Sequence, residues 1–584
     1  MSLSQDTDPK RELRGIWIAT VENIDWPSGK DLTSEEQKKE FIDIIDHLKK
    51  DKFNAVFVQV RASCDAFYES AIEPWSEWLT GKQGRSPAPF YDPLKFIIDE
   101  SHKRGIELHV WFNPFRSVMN INLNNICAEH VSRKHPEWNI EYGKLKWLNP
   151  GIPEVRDYVL KVIMDVVRRY EIDGVHFDDY FYPYPVNGRK FHDERTFARY
   201  SRGIKNPDDW RRDNINRFVK SAADSIRKVK PGVKFGISPF GIWKNRSDDP
   251  LGSKTEGTES FSTTYSDSRK WLQEGWVDYL APQLYWNIGY SAADYKLLAE
   301  WWNNNSYGRN IYPGESVYKI GTDKNIAWQQ AGEIPSQIRL NRSLHNIKGN
   351  IFFNTSSYLK NPLGLEDSLN NEYYKYYALT PQIEKRNNVK PIMPFKAVFQ
   401  RDNGKILLKW QKQRNEADYE QARYFAIYRF DDTEKVDIER SRNIKAVLYG
   451  TKTAWLDTQT VANNQTAKYI IIAMDKFGNE SNDNCRISVP PVSIAGNMII
   501  SNKNSLSIIN SGLGFTVFFN VGSSEVVRLK MFDMSGREIK TLFYGYKKEG
   551  SYQFELPFSE IKSKIFIIQL RTEGYYSSEK ITLN

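Results

Sequence analysis

The sequence predicts an α/β protein: a (β/α)8 TIM barrel followed by two all-β sandwich domains. Two observations carry the barrel. Short apolar runs alternate with amphipathic helical stretches over the first ~380 residues, and no GxGxxG or GxxxxGK[ST] loop follows any of the runs, which disfavours a doubly wound open sheet. A third carries the sandwiches: beyond Tyr377 the chain changes to short alternating strands.

Eight runs read as strands: 14–21, 53–60, 106–112, 174–178, 233–238, 277–284, 310–314 and 349–353. Most are continuously apolar, as strands buried on both faces must be. Between them, 34–50 places Phe41, Ile44, Ile45 and Leu48 at helical spacing, with Ser34 as the candidate cap. Helices are also expected over 93–103, 155–170 and 213–229. The domain reading is then 1–10 as a disordered N-terminus or cloning remnant, 11–380 as the barrel and 381–394 as a polar, proline-containing linker. A β-sandwich over 395–489 and a second β domain over 494–584 complete it.

With 82 Lys and Arg against 73 Asp and Glu, the net charge is +9, interleaved rather than clustered. A nucleic-acid binder gathers its cations on one face or tail, so no nucleic-acid partner is expected. Three distant cysteines, Cys64, Cys127 and Cys485, form neither a disulfide framework nor a zinc spacing, and no HExxH occurs, so no metal and no cofactor is expected. No apolar run approaches membrane-spanning length. Fifteen of the 17 tryptophans precede residue 330. Exposed rings of this kind cover the apolar faces of sugars, although core packing accounts for many of them.

In a barrel of this type, chemistry gathers where the strands end. Those ends are polar here: Asp25 and Trp26 after the first strand, Arg61 and Asp65 after the second, Asn113 and Arg116 after the third, Asp178, Asp179 and Tyr180 after the fourth. Gln283, Tyr285 and Trp286 follow the sixth, Glu315 the seventh and Asn354 the eighth. Glycoside hydrolysis needs two carboxyl groups across the scissile bond, one to protonate the leaving oxygen and one to attack or to activate water. Asp178 is the candidate nucleophile or base; Asp65, Asp25 and Glu315, which follow strand ends, and Asp179 are candidates for its acid partner. Arg61, Asn113, Arg116, Tyr180, Gln283, Tyr285, Trp286, Asp25, Trp26 and Glu315 are candidates for substrate binding. His109 and His176 lie within strands and read as satisfied core histidines.

RGIWIATVENIDWPS (14–28), FNAVFVQVRASCDAFYES (53–70), EPWSEWLTGKQG (73–84), IELHVWFNPFR (106–116), DGVHFDDYFYP (173–183) and APQLYW (281–286) together resemble glycosyl-hydrolase-like family 10, over roughly residues 11–380. That resemblance implies a bacterial, largely extracytoplasmic barrel glycosidase, with peptide-free peptidoglycan glycan strands as one substrate of the family. The motif of the fourth strand, 173–183, is also similar to the chitinase pattern DGxDxDxE, but His176 replaces its first spaced aspartate and Tyr180 its glutamate. The departure argues against chemistry assisted by a substrate N-acetyl group. Asp475–Ser481 resembles a loop of fibronectin type III domains, and 527–542 and 565–584 resemble C-terminal modules of secreted bacterial proteins, some of which are sorting signals. The expectation is a glycoside hydrolase acting outside the cytoplasm on a bacterial or host-derived polysaccharide; the alternative is a surface protein that binds glycan without cleaving it.

Overall fold

The computed structural model describes residues 8–582 apart from 123–124, 187, 387–388, 403, 413–420, 432–433, 463–464, 483, 490–504, 511–513, 522, 549 and 562. Most of the expected N-terminal tail, part of the first linker and the start of the last β domain therefore lie outside the described residues. The chain divides into two compact units, 1–491 and 492–584.

The first unit is built on a sheet of nine parallel segments, a TIM-like barrel arrangement. In chain order they are β1 (Leu13–Ile18), β2 (Ala55–Arg61), β3 (Glu107–Phe112), β4 (Gly174–Phe177), β5 (Lys234–Ile237), β6 (Tyr279–Leu280), β7 (Asn310–Ile311), β8 (Gly314–Ser316) and β9 (Gly349–Phe353). Their spatial order is β7-β6-β5-β4-β3-β2-β1-β9-β8. β7 and β8 are separated only by Tyr312 and Pro313, and Gln283 beyond β6 bridges to Gly314 in β8. Proline supplies no ladder donor, which accounts for the interruption there.

Alternation along the strands sorts the side chains into two layers. Ile16, Val56, Val58, Leu108, Val110, Phe177 and Ile237 face outward into the large core shared with the helices. Trp17, Phe57, Trp111, Tyr279, Tyr312 and Ile351 face the barrel interior. The interior also holds a polar chain. Trp17 Nε1 donates to His176 Nε2 (3.2 Å), His176 Nδ1 lies 3.1 Å from the Tyr279 hydroxyl, and that hydroxyl lies 2.9 Å from His109 Nδ1. Because the indole can only donate, His176 carries its proton on Nδ1, and Tyr279 passes its own hydrogen to His109. His109 Nε2 then points to Glu107, which Lys234 neutralises at 2.6 Å. Burial holds both imidazoles below their usual pKa, so they sit neutral, as satisfied core histidines do. Glycine makes room for the column: a Cβ on Gly174 would lie 2.3 Å from His109 Nδ1, and one on Gly236 2.1 Å from the Tyr279 ring.

The helices follow the expected pattern with longer ends: α1 (Ser34–Lys50), α2 (Pro93–Lys103), α3 (Pro153–Arg169), α4 (Pro207–Val229), α5 (Ser268–Gln273), α6 (Tyr295–Asn304) and α7 (Glu333–Ser343). The α1 cap is Thr33 rather than Ser34, because Thr33 and Glu36 form a reciprocal capping box. α4 starts six residues before the expected position, where Asn206 caps it and Pro207 occupies its first turn.

One insertion was not foreseen. After β3, Arg116–Val118, Asn139–Tyr142 and Leu145–Leu148 form a three-stranded antiparallel sheet.

Beyond the barrel, a three-stranded sheet and a four-stranded sheet within 395–489 share one core around Ile406, Leu408, Phe425, Tyr469 and Ile471. The same unit joins them to the barrel through buried charge. Arg423 from these sheets grips Asp173 at 3.0 and 2.7 Å, and His102 Nε2 lies 2.7 Å from the same carboxylate. The ring of Tyr449 stacks on His102 at 4.4 Å. Burial opposes a charge there, but Arg423 and His102 hold the Asp173 carboxyl well below the usual range. In the second unit, a further three-stranded and a four-stranded antiparallel sheet share a separate core around Val517, Leu529, Phe566 and Leu570.

Candidate active site

The C-terminal end of β4 carries Asp178 and Asp179. Asp178 continues the inward parity of Gly174 and His176, and its carboxyl meets the barrel wall. Trp111 Nε1 donates to Oδ2 at 3.1 Å, and the Tyr180 backbone N–H donates to Oδ1 at 3.2 Å. Asp179 turns toward the loop, where the Tyr184 hydroxyl donates to Oδ2 at 2.5 Å. Both aspartates are almost fully buried.

Burial pushes both carboxyls up, and for Asp178 the neighbouring Asp179 charge adds to it, taking the group well above its ordinary value. Asp179 is pushed up to about 6, with the Tyr184 and Gln283 hydrogen bonds opposing the effect of burial. Two interacting buried carboxyls of this kind resist ionising together, so a proton is held more readily on Asp178 than on Asp179. That state provides an acid and an anion side by side, which is what proton-coupled cleavage of a glycosidic bond requires.

Arg116 supplies the positive charge nearby. It reaches over the Tyr180 ring at 4.5 Å, donates through Nε to the Ala62 carbonyl at 3.2 Å, and draws both aspartate pKa values down. Tyr180 stacks on Tyr184 (5.2 Å), which meets Phe240 (5.1 Å). Tyr285 stacks on Phe353 (6.0 Å), and Tyr318 stands edge-on to both. Tyr184 and Tyr318 are each 38% exposed, so two groups of rings offer apolar surface to solvent. Tyr285 lies within electrostatic reach of Asp178 and Asp179. At neighbouring strand ends, Asn113 Nδ2 and Ser238 Oγ are buried polar atoms without a partner.

The structure therefore brings Asp178, Asp179, Arg116, Tyr180, Gln283 and Tyr285 together. Trp286 sits behind them, with its ring against Gly241 and its carbonyl accepting from Gln337. Asn113 accepts from Gln59 through its amide oxygen.

Five other expected residues are committed to structure. Trp26 is fully buried against Phe41 and Phe67 and donates to the Gln37 carbonyl, so no substrate reaches it. Arg61 is fully buried and bound to both oxygens of Glu73 and to the Asn113 and Pro114 carbonyls. Asp65 accepts from Ser63 N–H and the Ser76 hydroxyl, bracing its own loop. Asp25 accepts from the Ala19 and Ser356 N–H groups and from Asn354 Nδ2, tying β1 to β9. Glu315 faces outward between sheet and helices, where Tyr295 and Asn341 hold it. It flanks the inward Gly314, and strand alternation turns it away.

Trp111 and Tyr184 were not among the expected residues. Trp111 was legible by parity, two positions after the inward His109. Tyr184 had no such signal, because its direction is set by an irregular loop.

Among the described residues, one group of side chains is close enough to share a metal ion: His47, Asp51 and Glu366. Asp51 already accepts from Tyr358 and Asn370, and the Lys50 ammonium lies 3.5 Å from Glu366, so the group reads as an ion-pair network at the end of α1.

The model of the Glycosyl hydrolase-like 10 family matches residues 12–330, more than half of the chain. The chain belongs to that family. Glycosyl hydrolase YngK of Bacillus subtilis is 44% identical over 479 residues, covering 81% of this chain and 92% of the relative. Glycosyl hydrolase DigH of Escherichia coli is 39% identical over 373 residues, covering 60% and 84%. Among solved structures, the PgaB (BpsB) glycoside hydrolase domain of Bordetella bronchiseptica aligns with a TM-score of 0.40 at 12% identity, over 62% of this chain and 99% of that one. The protein is thus a glycosidase with a carbohydrate substrate. None of the helices among the described residues is long and apolar enough to cross a membrane.

Proposed function

We propose that the protein hydrolyses a bacterial polysaccharide, with peptide-free peptidoglycan glycan strands as the first substrate class, and that Asp178 and Asp179 are its catalytic pair. The paired buried carboxyls at the end of β4 carry this reading. Burial and the adjacent anion hold the proton more firmly on Asp178, whereas the short bond from Tyr184 favours the anion on Asp179. In the resting pair, Asp178 is therefore the acid that protonates the glycosidic oxygen. Asp179 is the carboxylate that attacks the anomeric carbon or takes a proton from water. This reverses the role that strand position alone suggests for Asp178. Asp65, tied into its loop, takes no part. Arg116 and the rings of Tyr180, Tyr184 and Tyr285 hold the sugar, with the guanidinium suited to a carboxylate on the glycan.

The architecture proposed with this function reads β7 and β8 as one strand interrupted at Pro313, which makes the sheet a closed (β/α)8 barrel over residues 11–380. The sheets of 395–489 are read as a fibronectin type III-like sandwich after a linker at 381–394, and 494–584 as a second sandwich. The likeness of the last domain to modules of secreted proteins supports action outside the cytoplasm. A panel of glycans, incubated with the protein and resolved by mass spectrometry, tests the substrate. Shortened chains with new reducing ends from peptide-free peptidoglycan are expected. Release only from other glycans would overturn the substrate class.

A further inference from the structure

The unit formed by residues 492–584 presents one sheet face to solvent. The four strands of that sheet run in the spatial order Glu538–Lys547, Glu525–Phe532, Ile565–Arg571, Tyr576–Thr582. Val527, Leu529, Phe566 and Leu570 point into the core. By register, the opposite face carries an unbroken row across all four strands: Tyr544, Arg528, Arg571 and Tyr576. Tyr544 and Tyr576 are 63% and 62% exposed, and Tyr546, two positions further along the same face, is 64% exposed. With strands ~4.8 Å apart, the two ends of the row are about 14 Å from each other.

The Arg528 guanidinium lies 5.4 Å from the centre of the Tyr544 ring. Neither Arg528 nor Arg571 has a carboxylate partner among the described residues. One row further in, Lys530 is bound to Glu538 at 2.6 Å, so the sheet pairs the cation there and leaves these two open. Gln569 Nε2 donates to the Tyr576 hydroxyl at 3.0 Å and fixes that side chain. Among the described residues, no core packing accounts for three exposed tyrosine rings on one face, and such a patch marks a binding surface more often than chance exposure.

We propose that this face is a second binding site, for a polysaccharide that carries carboxylate groups, separate from the site in the barrel and independent of the hydrolase reading. Tyrosine rings cover the apolar faces of sugar rings while their hydroxyls stay wet. Guanidinium groups grip carboxylates with two parallel hydrogen bonds. Two guanidiniums between terminal aromatics match a chain of sugars bearing spaced single charges. The whole unit holds 11 Lys and Arg against 8 Asp and Glu, a surplus of 11 − 8 = +3, which is too dilute for a polyphosphate or a membrane surface.

The test is electrophoresis of the full chain through native gels cast with polygalacturonate, alginate or hyaluronan, and with a neutral cellulose ether. Retardation by at least one carboxylated polymer and none by the neutral polymer is expected. Arg528→Gln with Arg571→Gln, and separately Tyr544→Ser with Tyr576→Ser, should weaken binding at least tenfold without changing cleavage of short soluble oligosaccharides or the melting temperature. Arg116→Gln with Tyr285→Ser, which disturbs the sugar-holding groups of the barrel, should be retarded as the wild type is, which separates this surface from the barrel. No retardation by any of the three polymers, retardation unchanged in both double variants, or equal retardation by the neutral polymer would overturn the proposal. So would the double variants abolishing binding to phosphatidylglycerol vesicles, or converting a dimer to a monomer, while leaving polysaccharide binding intact.

Discussion

Tyr184→Phe removes one hydroxyl from the edge of the site and leaves the ring. That hydroxyl donates to Asp179 Oδ2 at 2.5 Å and favours its anion. A hydrogen bond to a charged group contributes about 1.5–3 kcal/mol net, and because Tyr184 is 38% exposed, where water replaces part of the bond, the lower figure applies. Since one pH unit corresponds to ~1.4 kcal/mol, the titration of Asp179 should move up by about one unit, from about 6 to about 7. Asp179 must be ionised to act as base or nucleophile, so activity falls on the acid side of its pKa, and losing a donor to the anion moves that limb to higher pH. At pH 6 the ionised fraction drops from about one half to about one tenth, a loss near fivefold; at pH 8 the loss is small. The profile of kcat/KM between pH 4 and 9 reads this directly, because it reports the free enzyme. A uniform loss at every pH, with the limb unmoved, would refute the coupling between Tyr184 and Asp179.

Three further outcomes follow from the same structure. Trp111→Phe deletes the indole N–H that orients Asp178 and should lower kcat about tenfold with little change in KM; an unchanged kcat would remove Trp111 from the site. Glu315→Gln should leave melting temperature and activity close to wild type, because burial keeps the Glu315 carboxyl protonated, whereas Glu315→Ala strands Tyr295 and Asn341 and should cost about 1–3 kcal/mol; loss of activity in the glutamine variant would restore Glu315 to the chemistry. Arg423→Met takes the guanidinium from the buried Asp173, leaves only His102 and the Leu108 N–H against its charge, and should destabilise unit 1–491 by up to about 3–5 kcal/mol in calorimetry; two separate transitions with an unaltered barrel would show that the sheets of 395–489 are not integral to it. Asp173 has a lowered folded pKa, so its stabilisation is present above the unfolded carboxylate range and is lost as pH falls through the folded value.

Much of the barrel was legible because its strands are continuous apolar runs, and the same runs return as β1–β5 with ends moved by at most three residues and as β9 with its ends unmoved. The shortened β6 and the break between β7 and β8 were not, because Pro282 and Pro313 interrupt runs that composition alone reads as whole. The sheet inserted after β3 escaped notice because its strands are only three or four residues long and partly polar.

In the site, strand position drew attention to Asp178, Asp179, Arg116 and Tyr285, which the fold gathers at one end of the barrel. Position could not tell which way a residue beyond the strand turns. Arg61 follows a register shift in β2, and Asp25 and Asp65 lie in turns, where the nearest backbone N–H groups claim their charges. Trp26 reads as a sugar platform in one dimension and is a core residue in three.

The central claim is that the buried pair at the end of β4 performs the cleavage. Its most direct measurement is the initial rate of release of reducing ends by the wild type, Asp178→Asn and Asp179→Asn on the glycan that the wild type cleaves, with melting temperatures taken in parallel. Each asparagine variant should fold and lose about 10²–10⁴-fold in kcat, the usual contribution of a positioned acid or base. A folded Asp178→Asn or Asp179→Asn enzyme within a few-fold of the wild-type rate would contradict it.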